Sequence, residues 1–192
     1  MKNYDRLMKP VEEKTFLPIR TELLKEAYGN VLEVGCGTGI NFSFYRDVKV
    51  TALEPNSVFR DAAIKQVNQA QVPIQIVEGS AEAMPFDDDA FDTVVGTLVF
   101  CSIPDPTQAV REVMRVCKPG GKILLFEHVR HEHTMLAAMQ DFFTPLWKRL
   151  CDGCHLNRST AEVLIQEGVE IVRIHKHMNN IFISVVARNP MK

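Results

Sequence analysis

A glycine-rich turn follows the first strongly apolar run of the chain, in the stretch VLEVGCGTGIN at residues 31–41. Gly35, Gly37 and Gly39 alternate with other residues there. Glycine permits positive φ angles and lets a ligand approach bare backbone. The dinucleotide fingerprint G-x-G-x-x-G would place its third glycine at Ile40, and no Gly-Lys-Ser/Thr of a phosphate loop follows. The spacing therefore argues against a pyrophosphate ligand.

Two carboxylates near the turn indicate the charge of the ligand. Glu33 precedes Gly35 by two residues, at the end of the predicted first strand, where an anion opposes a pyrophosphate but suits an ammonium or sulfonium group. Glu54 ends the predicted second strand, where a carboxylate can accept hydrogen bonds from both hydroxyls of a ribose. A cationic nucleoside with a free ribose and an amino-acid tail is S-adenosylmethionine. A strand-end salt bridge for Glu33 and a helix cap for Glu54 remain alternative interpretations.

The elements that position these residues alternate between strands and helices. Strand-like apolar runs occupy 31–35, 49–55, 73–80, 91–100 and 122–129. Helical patterns open near Gly39 and cover 56–70, 106–117, 134–150 and 158–167. This alternation predicts a doubly wound, mostly parallel α/β sheet with helices on both faces. The last two runs, VEIVRIHKH and NIFISVVAR, are separated only by a short polar segment, so they predict a C-terminal antiparallel β-hairpin and seven strands in all.

Length and composition narrow the class of protein. The length of 192 residues predicts a single domain, 1–192. Residues 1–28 are expected to form an N-terminal helical cap that Pro18 kinks or divides. A formal net charge of −2 argues against a nucleic-acid partner. The chain shows no apolar run that could span a bilayer, and its five scattered cysteines favour a reduced, cytoplasmic protein.

The motifs together resemble the class I S-adenosylmethionine-dependent methyltransferases, in the type 11 or ubiquinone/menaquinone methyltransferase-like branch. That family carries E-x-G-x-G-x-G, an acid after the second strand, a polar loop after the third and K/R-P-G-G before the fifth. All four occur here in order, the last at residues 118–121. The resemblance implies S-adenosylmethionine as methyl donor, S-adenosylhomocysteine as product and a Rossmann-like fold. It assigns cofactor binding to Glu33, Gly35, Cys36, Gly37, Thr38, Gly39, Glu54, Pro55, Ser80, Ala81, Glu82 and Thr97.

One position departs from the pattern of that branch. An Asp that accepts a hydrogen bond from the adenine amino group usually stands where this chain has Ser80. Serine can accept the same bond without charge assistance, which predicts a weaker contact. The neighbouring Ala81 amide and Glu82 could compensate.

A narrower resemblance concerns the methyl acceptor. The stretches GTGINFSFY, TLVFCSIPD, FEHV and DGCHLNR are similar to those of the small thiol S-methyltransferases of animal membranes, the methyltransferase-like seven group. This implies transfer to a small, apolar acceptor, with a thiol favoured. A quinol, phenol or phospholipid amine as acceptor, and a catalytically silent cofactor-binding protein, are the alternatives. The animal proteins carry an apolar N-terminal anchor, whereas this chain begins with a polar segment, so peripheral membrane contact stays open. The sequence does not indicate an oligomeric state.

Several residues could act on the acceptor. His128 at the end of the fifth strand is predicted as general base, and Asp152 as a second catalytic residue. Cys101, Glu127, Cys154 and His155 are further candidates. The spacing in CDGCH, residues 151–155, would suit a metal or a redox pair, but the chain lacks further ligands at zinc spacing, so no metal is predicted.

Overall fold

The described residues, 12–150 and 153–191 of the computed structural model, form one mixed sheet of seven strands. The strands are β1 (Asn30–Val34), β2 (Lys49–Leu53), β3 (Ile74–Val77), β4 (Phe91–Thr97), β5 (Cys117–His128), β6 (Glu170–His177) and β7 (Phe182–Arg188). Their order across the sheet is β3-β2-β1-β4-β5-β7-β6. Strands β1 to β5 are parallel, and β7 pairs antiparallel with both β5 and β6. The predicted doubly wound sheet with a C-terminal hairpin is confirmed.

Five α-helices flank the sheet. They are α1 (Leu17–Leu24), α2 (Ser57–Val67), α3 (Pro106–Val116), α4 (Thr134–Leu150) and α5 (Thr160–Gln166). Two of them, α2 and α3, connect parallel strands. Asn56 caps α2 by accepting a hydrogen bond from the Val58 amide, and Asp105 caps α3 by accepting one from the Gln108 amide. Among the described residues, no helix has the length and apolar character needed to cross a bilayer.

The short helix predicted to open near Gly39 begins three residues later and is a 3₁₀ helix rather than an α-helix. The segment after β1 is a turn followed by a short 3₁₀ helix, Phe42–Phe44. Gly39 has a φ of 81°, which lies outside the right-handed helical region, and Tyr45 is extended at φ −67° and ψ 140°. The glycine turn therefore interrupts the helical backbone that the apolar spacing alone would allow.

Two apolar layers cover the sheet, and strand alternation decides which side chain enters which layer. Leu32 and Val34 of β1 pack with α3 and α5, whereas Val31 packs with α1 and α2. The alternation turns Glu33 toward the α1 layer. In β5 the same rule sends Leu124 and Phe126 toward α1, so His128 shares that face and Glu127 points to the opposite one.

The described part of the N-terminal segment lies over the ends of β5 and β7. A π-helical turn, Glu12–Phe16, leads into α1, and Pro18 occupies the first turn of α1. The Phe16 ring meets the Phe126 ring edge-on at 5.3 Å and the Phe182 ring at 4.8 Å between centroids. This aromatic contact fixes α1 beside the carboxyl ends of the strands. Residues 1–11 of the predicted cap lie outside the described residues.

Candidate functional site

A cavity of about 1110 Å³ opens at the carboxyl ends of the parallel strands. Its walls come from the N-terminal segment, the glycine turn, the loops after β2, β3 and β4, the end of β5, and the last turn of α4. Nine of the residues predicted to form the site line this cavity, namely Gly35, Gly37, Thr38, Glu54, Pro55, Ser80, Ala81, Glu82 and His128. In an open α/β sheet this is the expected place for a ligand.

The glycine turn has the left-handed backbone that its sequence predicts. Gly35 and Gly37 have φ values of 62° and 55°. A Cβ on Gly35 would lie 2.2 Å from the Val99 Cγ2 atom, so close packing excludes a side chain there. A Cβ on Gly37 would meet no atom within 4 Å, because this residue faces the open cavity. The turn thus presents bare backbone to a ligand.

Glu54 holds the turn in place. One carboxylate oxygen accepts a hydrogen bond from the Gly37 amide at 3.0 Å, and the other accepts one from the Asn56 amide at 2.9 Å. Each oxygen has further capacity to accept hydrogen bonds, and Glu54 lines the cavity. The carboxylate can therefore shape the glycine turn and accept ligand hydroxyls at the same time.

Glu33 lies behind the cavity rather than in its wall, and its predicted contact with a ligand stays a prediction. It is 1% exposed and accepts hydrogen bonds from the Asn41 side-chain amide at 2.8 Å and the Tyr45 hydroxyl at 2.9 Å. Burial raises the pKa of Glu33 to about 7, against the opposing effect of these hydrogen bonds. The cause of its position is the strand alternation that directs the side chain into the α1 layer.

Three more predicted cofactor residues stand behind the cavity wall. Cys36 is buried, and its amide donates to the Leu53 carbonyl rather than toward the cavity. Gly39 borders a separate small depression. Thr97 is buried beneath α1, where its hydroxyl oxygen accepts a hydrogen bond from Asn41 at 2.9 Å. Direct contact of these residues with a ligand stays a prediction.

Arg20 is a cavity residue that the sequence analysis missed. Its Nη1 donates to Asn41 and Thr97, its Nε donates to Glu12, and the guanidinium lies 5.8 Å from the centre of the Phe126 ring. It is only 4% exposed yet lines the cavity. The sequence feature that could have indicated its burial is spacing, since Arg20 follows Phe16 by four residues and so shares the apolar face of the N-terminal helical segment.

Asn41 relays between the buried cation and the buried acid. Its carbonyl oxygen accepts from Arg20 at 3.1 Å, and its amino group donates to Glu33. The positive charge of Arg20 opposes the rise in the pKa of Glu33. Arg20 thereby brings positive charge to a wall that Glu33 supports from behind.

The loop after β3 forms the opposite end of the cavity. The Ser80 hydroxyl donates to the Glu82 carboxylate and accepts from the Glu82 amide, each at 3.2 Å. The second Glu82 oxygen accepts from the Asp105 amide at 2.8 Å, next to the start of α3. Glu82 therefore joins this loop to α3, and its carboxylate gives the loop the negative charge that Ser80 lacks.

His128 lies in the wall farther along the cavity. It is 8% exposed, its ring meets the Phe182 ring edge-on at 5.0 Å, and its Nδ1 has no hydrogen-bond partner among the described residues. Burial lowers the pKa of His128 to about 4. The imidazole is therefore neutral near pH 7 and is a weaker base than its usual pKa suggests. A buried nitrogen without a partner beside a cavity is ready to hydrogen-bond a ligand.

Two thiols line the same cavity as His128. They belong to Cys101 and Cys154, and the two side chains interact with each other. This contact lowers the pKa of Cys154 and raises that of Cys101, which burial raises further. Trp147 of α4 completes this part of the wall. The two thiols and the indole ring make this part of the cavity wall weakly polar.

Glu127 acts on the loop after β4 from behind. Its carboxylate accepts hydrogen bonds from the amides of Val99, Phe100 and Cys101 at 2.9 to 3.2 Å. Burial raises its pKa to about 7 despite these bonds. His155 is tied to the same loop, since its amide donates to the Cys101 carbonyl at 2.8 Å. Asp152 and Cys151 lie outside the described residues.

Comparison with known proteins agrees with the geometry. Residues 32–125 match the model of a methyltransferase domain family. A SAM-dependent methyltransferase from Methanosarcina mazei has the same fold, with a TM-score of 0.69 at 22% identity over 91% of this chain and 98% of that one. The chain belongs to the class I S-adenosylmethionine-dependent methyltransferases.

Two relatives within the family are thiol S-methyltransferases. The protein from Rattus norvegicus is 40% identical over 68% of this chain and 55% of its own length. The protein from Homo sapiens is 37% identical over 81% of this chain and 66% of its own length. The chain thus spans between about half and two thirds of the length of these curated relatives.

Proposed function

We propose that this protein transfers the methyl group of S-adenosylmethionine to the sulfur of a small apolar thiol and releases S-adenosylhomocysteine. The observation that carries the proposal is the continuity of one cavity. At one end it presents the glycine turn and Glu54, and farther along it presents weakly polar groups that include Cys101, His128 and Trp147. Its volume of about 1110 Å³ exceeds that of most pockets for a single drug-sized ligand, which supports room for donor and acceptor together.

The residues of the cavity fit the parts of the methyl donor. Glu54 suits the ribose hydroxyls, and the bare backbone at Gly35 and Gly37 suits close approach of the amino-acid portion. Arg20 suits the carboxylate of that portion, since it brings a buried positive charge to the wall. Ser80, Ala81 and Glu82 suit the adenine. When bound, S-adenosylmethionine supplies an electrophilic methyl group.

The protein contributes mainly alignment and exclusion of water. Holding two reactants in an attack geometry lowers a barrier by roughly 7–11 kcal/mol. A thiol with a pKa of about 8.5 is several per cent ionised near neutrality, so it needs little help from a base. The fraction of the thiol that has lost its proton to water is the nucleophile. His128 is neutral, and its Nδ1, which has no partner among the described residues, can carry the ring hydrogen and donate a hydrogen bond that orients the thiolate sulfur. This role differs from the general base that the sequence predicts, and Asp152 stays a prediction.

The acceptor class is tested by a panel assay. Released S-adenosylhomocysteine is measured with alkyl thiols, a quinol and phosphatidylethanolamine, each presented in detergent. We expect turnover with thiols that increases with alkyl chain length. Turnover of the lipid amine or the quinol without turnover of thiols would contradict the thiol assignment. Cofactor binding without turnover of any acceptor would contradict catalysis itself.

The pH dependence of the reaction distinguishes the two roles of His128. Since burial keeps this histidine neutral down to about pH 4, we expect kcat/KM for a thiol to rise about tenfold per pH unit from about pH 6 and to level only near the thiol pKa of about 8.5. A histidine base with an ordinary pKa would give a plateau above about pH 6.5 instead. Steady-state rates across this range decide between them, and a plateau near neutrality would contradict the orienting role.

A further inference from the structure

The outer face of α4 carries an unusual concentration of exposed apolar side chains. Seven large apolar residues of this 17-residue helix are between 39% and 77% exposed. Five of them recur at helical spacing along one row, Met135, Met139, Phe142, Leu146 and Leu150. Leu136 and Phe143 widen the row into an arc of about 120°. We call this surface the α4 stripe, and it runs for roughly 24 Å along the helix.

The helix is held firmly on its other side, so the stripe is not a consequence of loose packing. Ala137 and Thr144 are buried against the body of the protein. The Gln140 amide donates to the Val129 carbonyl at 3.0 Å and accepts from the His131 amide at 2.7 Å. Asp141 pairs with Arg130. The helix therefore presents the stripe in a fixed orientation.

The charge beside the α4 stripe is cationic. Arg149 is exposed and lies about 20° around the helix from Phe142, at the edge of the stripe. Lys148 is exposed at the same end of the helix but on the face opposite the stripe, and neither residue forms an ion pair with another described residue. Asp141, the carboxylate of this helix, is already neutralised by Arg130. Anionic lipid headgroups complement such a border, because basic residues beside an apolar helical face are attracted to negatively charged membrane surfaces.

We propose that α4 docks the protein on an anionic lipid bilayer, with the α4 stripe in the interface and Arg149 among the headgroups. A convex single helix with an uninterrupted apolar face suits the acyl boundary of a bilayer. Trp147, on the inner side of the same helix, lines the cavity, so the docked helix places one cavity wall next to the lipid. This surface is separate from the groups assigned to the methyl donor.

The test is flotation of the full-length protein with phosphatidylcholine vesicles that contain either no phosphatidylserine or about 30 mol% of it. We expect binding to the anionic vesicles. The double variant Phe142→Gln with Leu146→Gln should bind at least tenfold more weakly, because both side chains lose apolar area that would be buried in lipid. Arg149→Gln should weaken binding to anionic vesicles about fivefold and leave binding to neutral ones unchanged.

A matched control replaces two apolar residues of similar exposure elsewhere. Ile64→Gln with Ile165→Gln, at 56% and 60% exposure on α2 and α5, should bind vesicles like the wild type. Absence of wild-type flotation, or equal loss in this control, would overturn the proposal. So would a concentration-dependent dimer in light scattering that Phe142→Gln with Leu146→Gln abolishes in the absence of vesicle binding, since a second copy would then cover the stripe. Vesicle binding is measured without S-adenosylmethionine, so its failure would leave the proposed function intact.

Discussion

Replacing Glu54 by glutamine is expected to weaken binding of S-adenosylhomocysteine about a hundredfold. The two carboxylate oxygens accept from the amides of Gly37 and Asn56, and a glutamine would turn an NH₂ group toward one of these donors. A hydrogen bond to a charged group contributes about 1.5–3 kcal/mol, and the same substitution weakens the proposed ribose contact. Together these losses correspond to about two powers of ten in the dissociation constant. Titration calorimetry measures it.

A control carboxylate separates this effect from a change in net charge. Glu22 on α1 is exposed and pairs only with Lys25 among the described residues. Glu22→Gln should therefore bind the ligand within about twofold of wild type. Thermal unfolding of both variants checks that the fold is retained. A Glu54→Gln protein that binds as tightly as wild type would remove Glu54 from the cofactor site.

Replacing Glu33 by glutamine is expected to change the pH dependence of stability. Burial raises the pKa of Glu33 from 4.5 to about 7. Between these values the native carboxyl holds a proton that the unfolded chain releases, so the native state binds more protons. The free energy of unfolding from this group is therefore largest below about pH 4.5 and declines as the pH rises through about 7. The decline amounts to about 3 kcal/mol.

Glutamine imitates the protonated carboxyl, because its oxygen can accept from Asn41 and its amino group can donate to the Tyr45 hydroxyl oxygen. Urea unfolding of wild type and Glu33→Gln is compared from about pH 4.5 to about pH 7.5. The wild type should lose about 3 kcal/mol relative to the variant over this range. All other titrating groups are common to both proteins, so the difference isolates Glu33. A difference that does not change with pH would show that Glu33 is ionised throughout.

The position of Glu33 shows what a sequence motif does not predict. Its spacing of two residues from Gly35 suggested contact with a cationic ligand, but the motif does not indicate on which face of β1 the side chain lies relative to the cavity. In the structure it shares its face with Val31, and Asn41 and Tyr45 cover both of its oxygens. Asn41 links Glu33 to Arg20, which lines the cavity, and direct contact of Glu33 with a ligand stays a prediction.

His128 and Arg20 show that the sequence does not predict the surroundings of a side chain in the folded protein. The sequence placed His128 at the end of β5, and the structure confirms its place in the cavity wall. Its protonation state depends on desolvation by neighbours such as Phe182, which no local pattern encodes. Arg20 stood among apolar residues at helical spacing, but its partners Asn41 and Thr97 are 21 and 77 residues away along the chain.

The sequence by itself determined the sheet, its C-terminal hairpin, the glycine turn and the family, because these follow from short-range periodicity and from motifs with fixed spacing. It also placed Glu54 beside the turn. Only the tertiary structure decided that α1 closes the cavity through Arg20, that Glu33 lies behind the wall and that the other described residues leave the outer face of α4 uncovered. These outcomes depend on contacts between distant segments and on burial, which the order of residues does not express locally.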